Sequence, residues 1–470
     1  MHILQSYCSH ELHTDCGYRE GGKGHMYKKT FHGGVHPYDG KEFARDIPFQ
    51  TWLPKGDLVF HLNQHIGKPA KPLVQKGDSV LAGQIIAEAD GFVSANIISS
   101  VSGTVKAIEK RENVLGTTDL SIVVTNDGQY TLTEGVGAEV DPATLTTQEI
   151  LAKVKAAGIV GLGGAGFPTH VKLAPKDPAA IKYVIANGAE CEPYITCDDQ
   201  LMRTYADEIV AGLKIMLQLF PNAEGVVLIE ENKPEAIAAV QKACAGETNV
   251  HVHPVQVKYP QGGERAIMDV VAGKHIKLGM LPADVGCVVD NVATVRAIYR
   301  AVAKSEPLME RGFTVSGDAV KNPCNLIVKI GTGLEEMLEA AGGFKDGVEP
   351  EKLLCGGPMM GFAMSDLDAV VNKNNNALTI LAKDPVAQAE EQQTACIRCG
   401  RCAHVCPLGL TPQMMAAAAE KKDYDRYENK LYGLECIACG SCTFVCPAKR
   451  PLMQLFKQTK SEIMAAKRKK

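Results

Sequence analysis

The sequence predicts a multidomain chain that mixes α/β and α+β units and closes in a small helical module. Three observations predict it. The chain has 470 residues, more than one core accommodates, so three or four domains are expected. Residues 72–108 read as short β-rich runs broken by Lys-Gly-Asp, Ala-Gly-Gln and Val-Ser-Gly-Thr turns, whereas 146–173 read as a helix followed by a glycine-rich loop. Near the end, "CIRCGRCAHVCP" (396–407) is repeated with the same spacing as "CIACGSCTFVCP" (436–447).

Bulk composition removes several function classes. Lys and Arg number 50 against 54 Asp and Glu, a formal charge of −4, so there is no basic footprint for nucleic acid. The sequence has no apolar run long enough to span a membrane and no charged-then-apolar secretion signal. Eight of the sixteen cysteines fall in the two tight runs. That pattern fits a reducing compartment and metal ligation better than a disulfide scaffold.

Taken in order, residues 1–26 read as a disordered or non-native extension. They are rich in His and Cys without periodicity, and Met26 opens "MYKKTFHGGVHP", which reads like a natural start. Glu20-Gly21-Gly22 can be encoded by a purine-rich ribosome-binding sequence just ahead of it. A zinc site from His2, Cys8, His10, His13 and Cys16 is the alternative. Residues 27–130 form an N-terminal region around the compact all-β unit of 72–108.

Residues 140–305 form the next unit. "TTQEILAKVKAAG" has a Thr start, helical spacing and Gly158 as a stop. "GLGGAGFPTHVKL" (161–173) then places Gly161, Gly163 and Gly166 in G-x-G-x-x-G, with Glu190 at a ribose-like distance beyond. That fingerprint needs a strand directly before the glycines; a helix stands there, so the ordinary dinucleotide reading is rejected. The loop still reads as a phosphate and flavin cradle, with bare backbone amides and Lys172 as a point charge. Cys191 and Cys197 flank "EPYIT" near the presumed cofactor pocket and are candidates for a third metal site. Cys244, Cys287, Cys324 and Cys355 read as small core residues.

Residues 306–372 follow, with two strands, a Gly-Thr-Gly turn and an amphipathic helix expected within 310–350. The final module is placed at 373–460, with "KNNNALTILAKD" (373–384) as its approach. Each cassette is C-x2-C-x2-C-x3-C-P, the spacing of bacterial two-cluster ferredoxins. Three close cysteines wrap one cube, and the fourth, before Pro407 or Pro447, reaches the other. The predicted sets are therefore crossed: Cys396, Cys399, Cys402 and Cys446 on one [4Fe–4S] cluster, and Cys436, Cys439, Cys442 and Cys406 on the other. Zinc knuckles, the alternative, use paired C-x2-C elements instead. Gly400 and Gly440 let amides approach the sulfurs. The link "LTPQMMAAAAEKKDYDRYENK" reads as helical, with Thr411-Pro412 at its start. The last stretch, 461–470, is a basic tail: a solvated helix end, or a contact for anionic lipid or an acidic partner.

Four stretches together resemble the NADH-binding subunit of respiratory complex I: "GLGGAGFPTHVKL", "NGAECEP" (187–193), "YPQGGERAI" (259–267) and "DNVATV" (290–295). The resemblance implies non-covalent FMN with NADH stacked on its ring. Gly161, Gly163, Gly164, Gly166 and Lys172 would hold the phosphate side. Asn187, Asn291 and Thr294 would meet the ribityl chain or ring. Glu190, Glu192, Tyr259 and Glu264 would border the nicotinamide, and Phe167 would stack on it or fill the core. For Glu190 and Glu192 a solvated turn is the alternative. The sequence departs from that pattern at Ala189, Gly263 and Ala293 and lacks an arginine among the loop glycines, departures that bear on NADH more than on FMN. A flavin suits the combination, because a hydride carries two electrons and an iron–sulfur cluster takes one. The 72–108 region resembles a barrel-sandwich hybrid of the biotinyl/lipoyl type. Its tip, "ANIISS", lacks the cofactor lysine, which makes it a structural or docking domain. Residues 310–350 resemble the β-grasp (SLBB-like) domain of the complex I subunit.

In this order, opened by "KTFHGGVHP", the units resemble the RnfC family of Rnf electron-transport complexes from Met26 to about residue 460. The resemblance implies a peripheral subunit on the cytoplasmic face of the membrane, exchanging electrons with NAD(H). Its partners would be the membrane and ferredoxin-like subunits of the complex, with ferredoxin itself a further candidate. The whole complex would couple ferredoxin:NAD oxidoreduction to Na+ or H+ transport. A soluble flavin/iron–sulfur reductase, such as a cobalamin reductase, and a flavin-free relay and docking scaffold are the alternatives.

Overall fold

The computed structural model describes residues 29–468; the proposed extension 1–26, with its zinc alternative, lies outside the described residues. In the N-terminal unit a four-stranded antiparallel sheet (Leu58–His61, Thr118–Asn126, Gly103–Glu112, Ser79–Val80) faces a three-stranded one (Lys71–Pro72, Ile85–Glu88, Ile97–Ile98). Leu58, Phe60, Ile86, Ile97, Ile122 and Val124 fill the space between them. The lysine-free tip is buried against the rest of the molecule. Asn96 donates to the carbonyls of Lys155 and Ala156 at 3.4 and 3.3 Å, and Ser100 to that of Ile330 at 2.6 Å.

The second unit opens with the helix Thr147–Ala156, whose Thr146 and Glu149 form a reciprocal capping box. Four parallel strands follow in the spatial order Val250–Val255, Glu224–Glu230, Tyr183–Gly188, Cys287–Asn291. Their near-continuous apolar runs suit a sheet covered on both faces. Val227 and Ile229 pack towards the helices Ala206–Leu217 and Val292–Ala303, and Val226 and Leu228 towards Glu264–Ala272. The strand order reverses between Tyr183–Gly188 and Cys287–Asn291, which opens a crevice at their C-terminal ends.

The third unit is a six-stranded sheet in the order Phe49–Trp52, Cys324–Lys329, Glu310–Ser316, Ala377–Leu381, Lys352–Cys355, Phe362–Met364, with the helix Leu334–Ala340 packed on it. The expected strands, turn and helix of 310–350 are present. The boundary at 372/373 is corrected. Ala377–Leu381 does not lead into the last module; it pairs with both Glu310–Ser316 and Lys352–Cys355 inside this sheet. Its five buried residues need neighbours on both edges and both faces. The N-terminal region lends Phe49–Trp52 to the same sheet's edge.

In the cysteine module the cassettes repeat one geometry. Arg398 and Ala438 both have positive φ, as do Gly400 and Gly440, which cap the short helices Arg401–His404 and Ser441–Phe444. Pro412–Glu420 is helical as expected. The described part of the basic tail, 461–468, belongs to the helix Leu452–Arg468, which buries Phe456 and Ile463 on the module. The segment 31–36 joins this module to the second unit. Gly34 N–H donates to Val405 O at 2.8 Å, while Val35 and Tyr259 exchange main-chain hydrogen bonds at 2.8 and 2.9 Å.

Candidate functional site

The crevice is built from the sheet upward. Asn187 and Asn291 are register partners at the ends of the two strands where the order reverses, and the glycine loop folds beside them. Gly161 N–H donates to Phe167 O at 2.9 Å, closing the loop, and Leu162 N–H donates to Thr294 Oγ1 at 2.9 Å, anchoring it. A Cβ on Gly163 would lie 2.8 Å from the Asn291 Cβ, so no larger residue fits that approach. Gly163, Gly164 and Ala165 are exposed. Among the described residues the amides of 163–167 donate to no protein acceptor. A row of open donors over a strand-order reversal is chemistry that fits a phosphate-bearing group such as FMN.

The polar residues expected to touch the flavin mostly hold the frame. Asn187 donates to Gly262 O at 3.0 Å and accepts from Ala189 N–H at 3.2 Å. Asn291 caps its helix through Ala293 N–H at 2.8 Å and donates to Asp198 Oδ2 at 2.6 Å. Phe167 is half-buried at the loop's closing end. Lys172 departs from expectation. Its Nζ donates to Val289 O at 2.7 Å and to Asp290 Oδ1 at 2.9 Å. Burial opposes its charge, but buried Asp290 beside it holds its pKa above the ordinary value. In this structure the ammonium is therefore paired with Asp290 at the end of its strand. Glu264 opens the helix Glu264–Ala272 on the same side.

Glu190 and Glu192, the carboxylates expected to border the nicotinamide, are tied to main-chain amides. Glu190 is buried, has a φ of 47°, and accepts from Asp198 and Asp199 N–H at 2.6 and 3.2 Å, capping Cys197–Thr204. Burial raises its carboxyl above the usual range. Glu192 Oε1 accepts from Met359 and Met360 N–H at 2.6 and 3.1 Å, and burial pushes its carboxyl up to about 7. The alternative of a solvated turn does not hold. Two lysines that no local pattern marked support this segment from behind. Lys41 donates to the carbonyls of Glu192 and Ile195, and Lys233 to Ala189 O at 2.7 Å and Glu230 at 3.2 Å. Cys191 and Cys197 do not share a site: Cys191 Sγ accepts from Gly262 N–H at 3.3 Å, and Cys197 donates to Asn376 O at 3.6 Å. Cys197 does lie with Glu190 and Asp198, ligand atoms within 4.8 Å, but each already has a protein partner.

The resemblance puts Tyr259 beside the nicotinamide. In the structure it is buried, and its hydroxyl donates to Cys439 O at 2.8 Å. The flavin-domain loop therefore meets the second cassette directly. The cysteines group as the spacing implies. One cavity is lined by Cys396, Cys399, Cys402 and Cys446, the other by Cys406, Cys436, Cys439 and Cys442. Four thiols around each cavity suit a [4Fe–4S] cube. Amide donors already point at sulfur, Leu410 N–H to Cys406 at 3.3 Å and Ala438 N–H to Cys436 at 3.4 Å. Cys396 and Cys399 are exposed, whereas Cys439 and Cys406 are buried.

The chain matches the RnfC barrel sandwich hybrid domain over 29–129, the Nuo51 FMN-binding domain over 154–300, the SLBB domain over 313–363 and the 4Fe-4S dicluster domain over 389–447. It is 45% identical, over 93% of its own length and 95% of the relative's, to the C subunit of the proton-translocating ferredoxin:NAD(+) oxidoreductase complex of Clostridium ljungdahlii. The chain belongs to the RnfC family. A second member, the C subunit of the Na(+)-translocating ferredoxin:NAD(+) oxidoreductase complex of Acetobacterium woodii, is 39% identical over 94% of this chain and 98% of its own. The C subunit of the ion-translocating oxidoreductase complex of Rhodobacter capsulatus is 39% identical over 84% and 76%. As an RnfC-family member the chain is an oxidoreductase subunit with FMN-binding and [4Fe–4S] dicluster domains. The described residues include no helix long and apolar enough to cross a membrane.

Proposed function

We propose that this chain is the NAD(H)-reacting relay subunit of an ion-translocating ferredoxin:NAD oxidoreductase complex. The observation that carries the reading is the hydrogen bond from Tyr259, on the flavin-domain loop, to the carbonyl of Cys439. It makes the crevice and the second cassette neighbours. When bound, FMN exchanges a hydride with the nicotinamide and passes electrons singly, which is the exchange between NADH and one-electron clusters.

The chain's own residues supply the rest. Thr294 and Asn291 fix the glycine loop so that its open amides present a phosphate site. Glu190 and Glu192, locked by amide donors, shape the nicotinamide side without free rotation. Cys436, Cys439, Cys442 and Cys406 hold the cluster nearer the crevice, and Cys396, Cys399, Cys402 and Cys446 the outer one. Exposure of Cys396 and Cys399 makes the outer set the contact for a partner, the ferredoxin-like subunit or ferredoxin. Ion movement belongs to the membrane subunits, and this chain sits peripherally on their cytoplasmic side. Full-length relatives named as members of such complexes favour this reading over a soluble cobalamin-reductase-like enzyme, and the FMN-domain match favours it over a flavin-free scaffold.

Anaerobic titration of the reconstituted chain with NADH, followed by absorbance and electron spin resonance, tests it. Flavin bleaching followed by reduced-cluster signals is expected. Flavin that binds but stays oxidised would overturn the assignment of NADH as its partner.

A further inference from the structure

The two cassettes share one backbone geometry but face different surroundings. In the second, Ile437 packs with Val35, Tyr259 and Met359. The Cys439 carbonyl accepts from the Tyr259 hydroxyl, and a Cβ on Gly440 would lie 3.3 Å from the Met359 carbonyl oxygen. This edge of the cassette is thus its seam with the flavin domain and the loop around Met359. The matching edge of the first cassette meets nothing. Ile397 is 65% exposed, a Cβ on Gly400 would find no atom within 4 Å, and among the described residues the Cys399 carbonyl accepts no hydrogen bond.

The side chains differ in the same sense. Arg398 and Arg401 stand in the first cassette where the second has Ala438 and Ser441. The backbone does not require the exchange, since φ is 57° at Arg398 and 53° at Ala438. Between Cys396 and Cys406 the run holds these two arginines and no acid; between Cys436 and Cys446 it holds no charged side chain. Arg398 and Arg401 are exposed, as is Lys449, just past the Cys446 that lines the same cavity. Among the described residues none of the three has an ion-pair partner, whereas neighbouring Arg450 is taken by Glu420. An exposed apolar side chain inside a rim of one charge sign is the make-up of a docking face.

We propose that the outer cassette docks an acidic iron–sulfur carrier protein, one whose own cluster is ringed by carboxylates. Arg398, Arg401 and Lys449 meet those carboxylates, and Ile397 takes an apolar contact as Ile437 does at the internal seam. The steering charge then stands at the point of transfer: one electron leaves the carrier's reduced cluster and one enters the oxidised outer cluster, with no bond made or broken. This rests on reading the outer cluster as the partner-facing end of the relay.

The test mixes the reconstituted full-length chain, oxidised, with a soluble two-cluster [4Fe–4S] ferredoxin of strongly negative net charge, pre-reduced and freed of reductant, in anaerobic stopped-flow. The second-order rate of cluster reduction is read at low and high salt. The wild-type rate is expected to fall steeply with salt. The double variant Arg398→Glu, Arg401→Glu is expected to lower the low-salt rate about tenfold and to flatten the salt dependence. Lys449→Glu, outside both cysteine runs, is expected to lower it about threefold, and it decides the matter if iron content shows that the double variant has lost a cluster. Lys110→Glu, on the exposed face of the barrel strand Gly103–Glu112, is expected to stay within about twofold of the wild type. A wild-type rate and salt slope in the deciding variant overturns the proposal. So does a loss in Lys110→Glu equal to that in Lys449→Glu, which would make net charge alone responsible, and so does a wild type indifferent to salt. NADH takes no part in this reaction, so a flavin that NADH fails to bleach strikes the relay reading and not the docking face.

Discussion

Replacing Glu192 by Gln separates the charge of this side chain from its hydrogen bonds. Both amide donors, from Met359 and Met360, reach the same oxygen, Oε1, at 2.6 and 3.1 Å. A glutamine carbonyl retains both. What disappears is a carboxyl that burial pushes up to about 7 from an ordinary 4.5. A carboxyl with a raised folded value favours the fold fully only below the unfolded value. That advantage is lost as pH climbs from about 4.5 to about 7 and stays lost above. At about 1.36 kcal/mol per pKa unit the loss is at most about 3 kcal/mol, and partial exposure reduces it to about 1–2 kcal/mol. Glu192→Gln is therefore expected nearly to match the wild type at pH 5 and to be more stable by about 1–2 kcal/mol at pH 8. Calorimetric unfolding of the full chain at the two pH values measures this. A variant less stable than the wild type at pH 8, or one with equal gains at both, would refute the claim that the buried charge is the costly part.

Three further outcomes follow from the geometry. Cys446→Ser is expected to remove the cluster of Cys396, Cys399 and Cys402, and Cys406→Ser the cluster of Cys436, Cys439 and Cys442, each halving the iron content; loss of the same spin-resonance signal in both variants contradicts the crossed sets. Tyr259→Phe leaves the Cys439 carbonyl without its donor, at about 1–3 kcal/mol for a buried group. Stopped-flow is expected to show normal flavin bleaching by NADH but slower cluster reduction, and unchanged cluster reduction would count against the seam. Thr294→Val frees the Leu162 amide and is expected to weaken FMN and riboflavin alike by about threefold to tenfold, read by fluorescence quenching; wild-type affinity would remove Thr294 from loop anchoring.

What the sequence made legible was mostly local. The cassette spacing implied the two sets of four cysteines, because each tight run and its proline act over a dozen residues. Thr146 and Glu149 marked their helix start for the same reason. The rejected dinucleotide motif also rested on neighbours alone: a helix stands before the glycines. The misses are long-range. Lys172 looked like a free charge because Asp290, 118 residues on, becomes its neighbour only when the short helix Thr169–Lys172 packs beside the strand Cys287–Asn291. Tyr259 carried a family expectation, while its hydroxyl partner lies 180 residues away. Ala377–Leu381 is a short apolar run whose sheet membership depends on strands from elsewhere, and no periodicity reveals that. Lys41 and Lys233 read as surface residues by type, and only the fold shows their amines buried against main-chain carbonyls, with the Glu230 carboxylate beside Lys233.

The clasp formed by residues 31–36 has a consequence for how the protein matures. Those residues leave the ribosome early, yet the Gly34 amide bonds to Val405, a neighbour of the cluster-holding Cys406, which emerges far later. Closure of the clasp must therefore wait for the last module, and ligation of metal by thiolates is in general coupled to the folding of the segment that carries them. A chain starved of iron is expected to leave the early segment undocked and open to proteases. Occupancy of the clusters would then be sensed at a point remote in sequence, so that incompletely furnished chains are cleared before they join a complex.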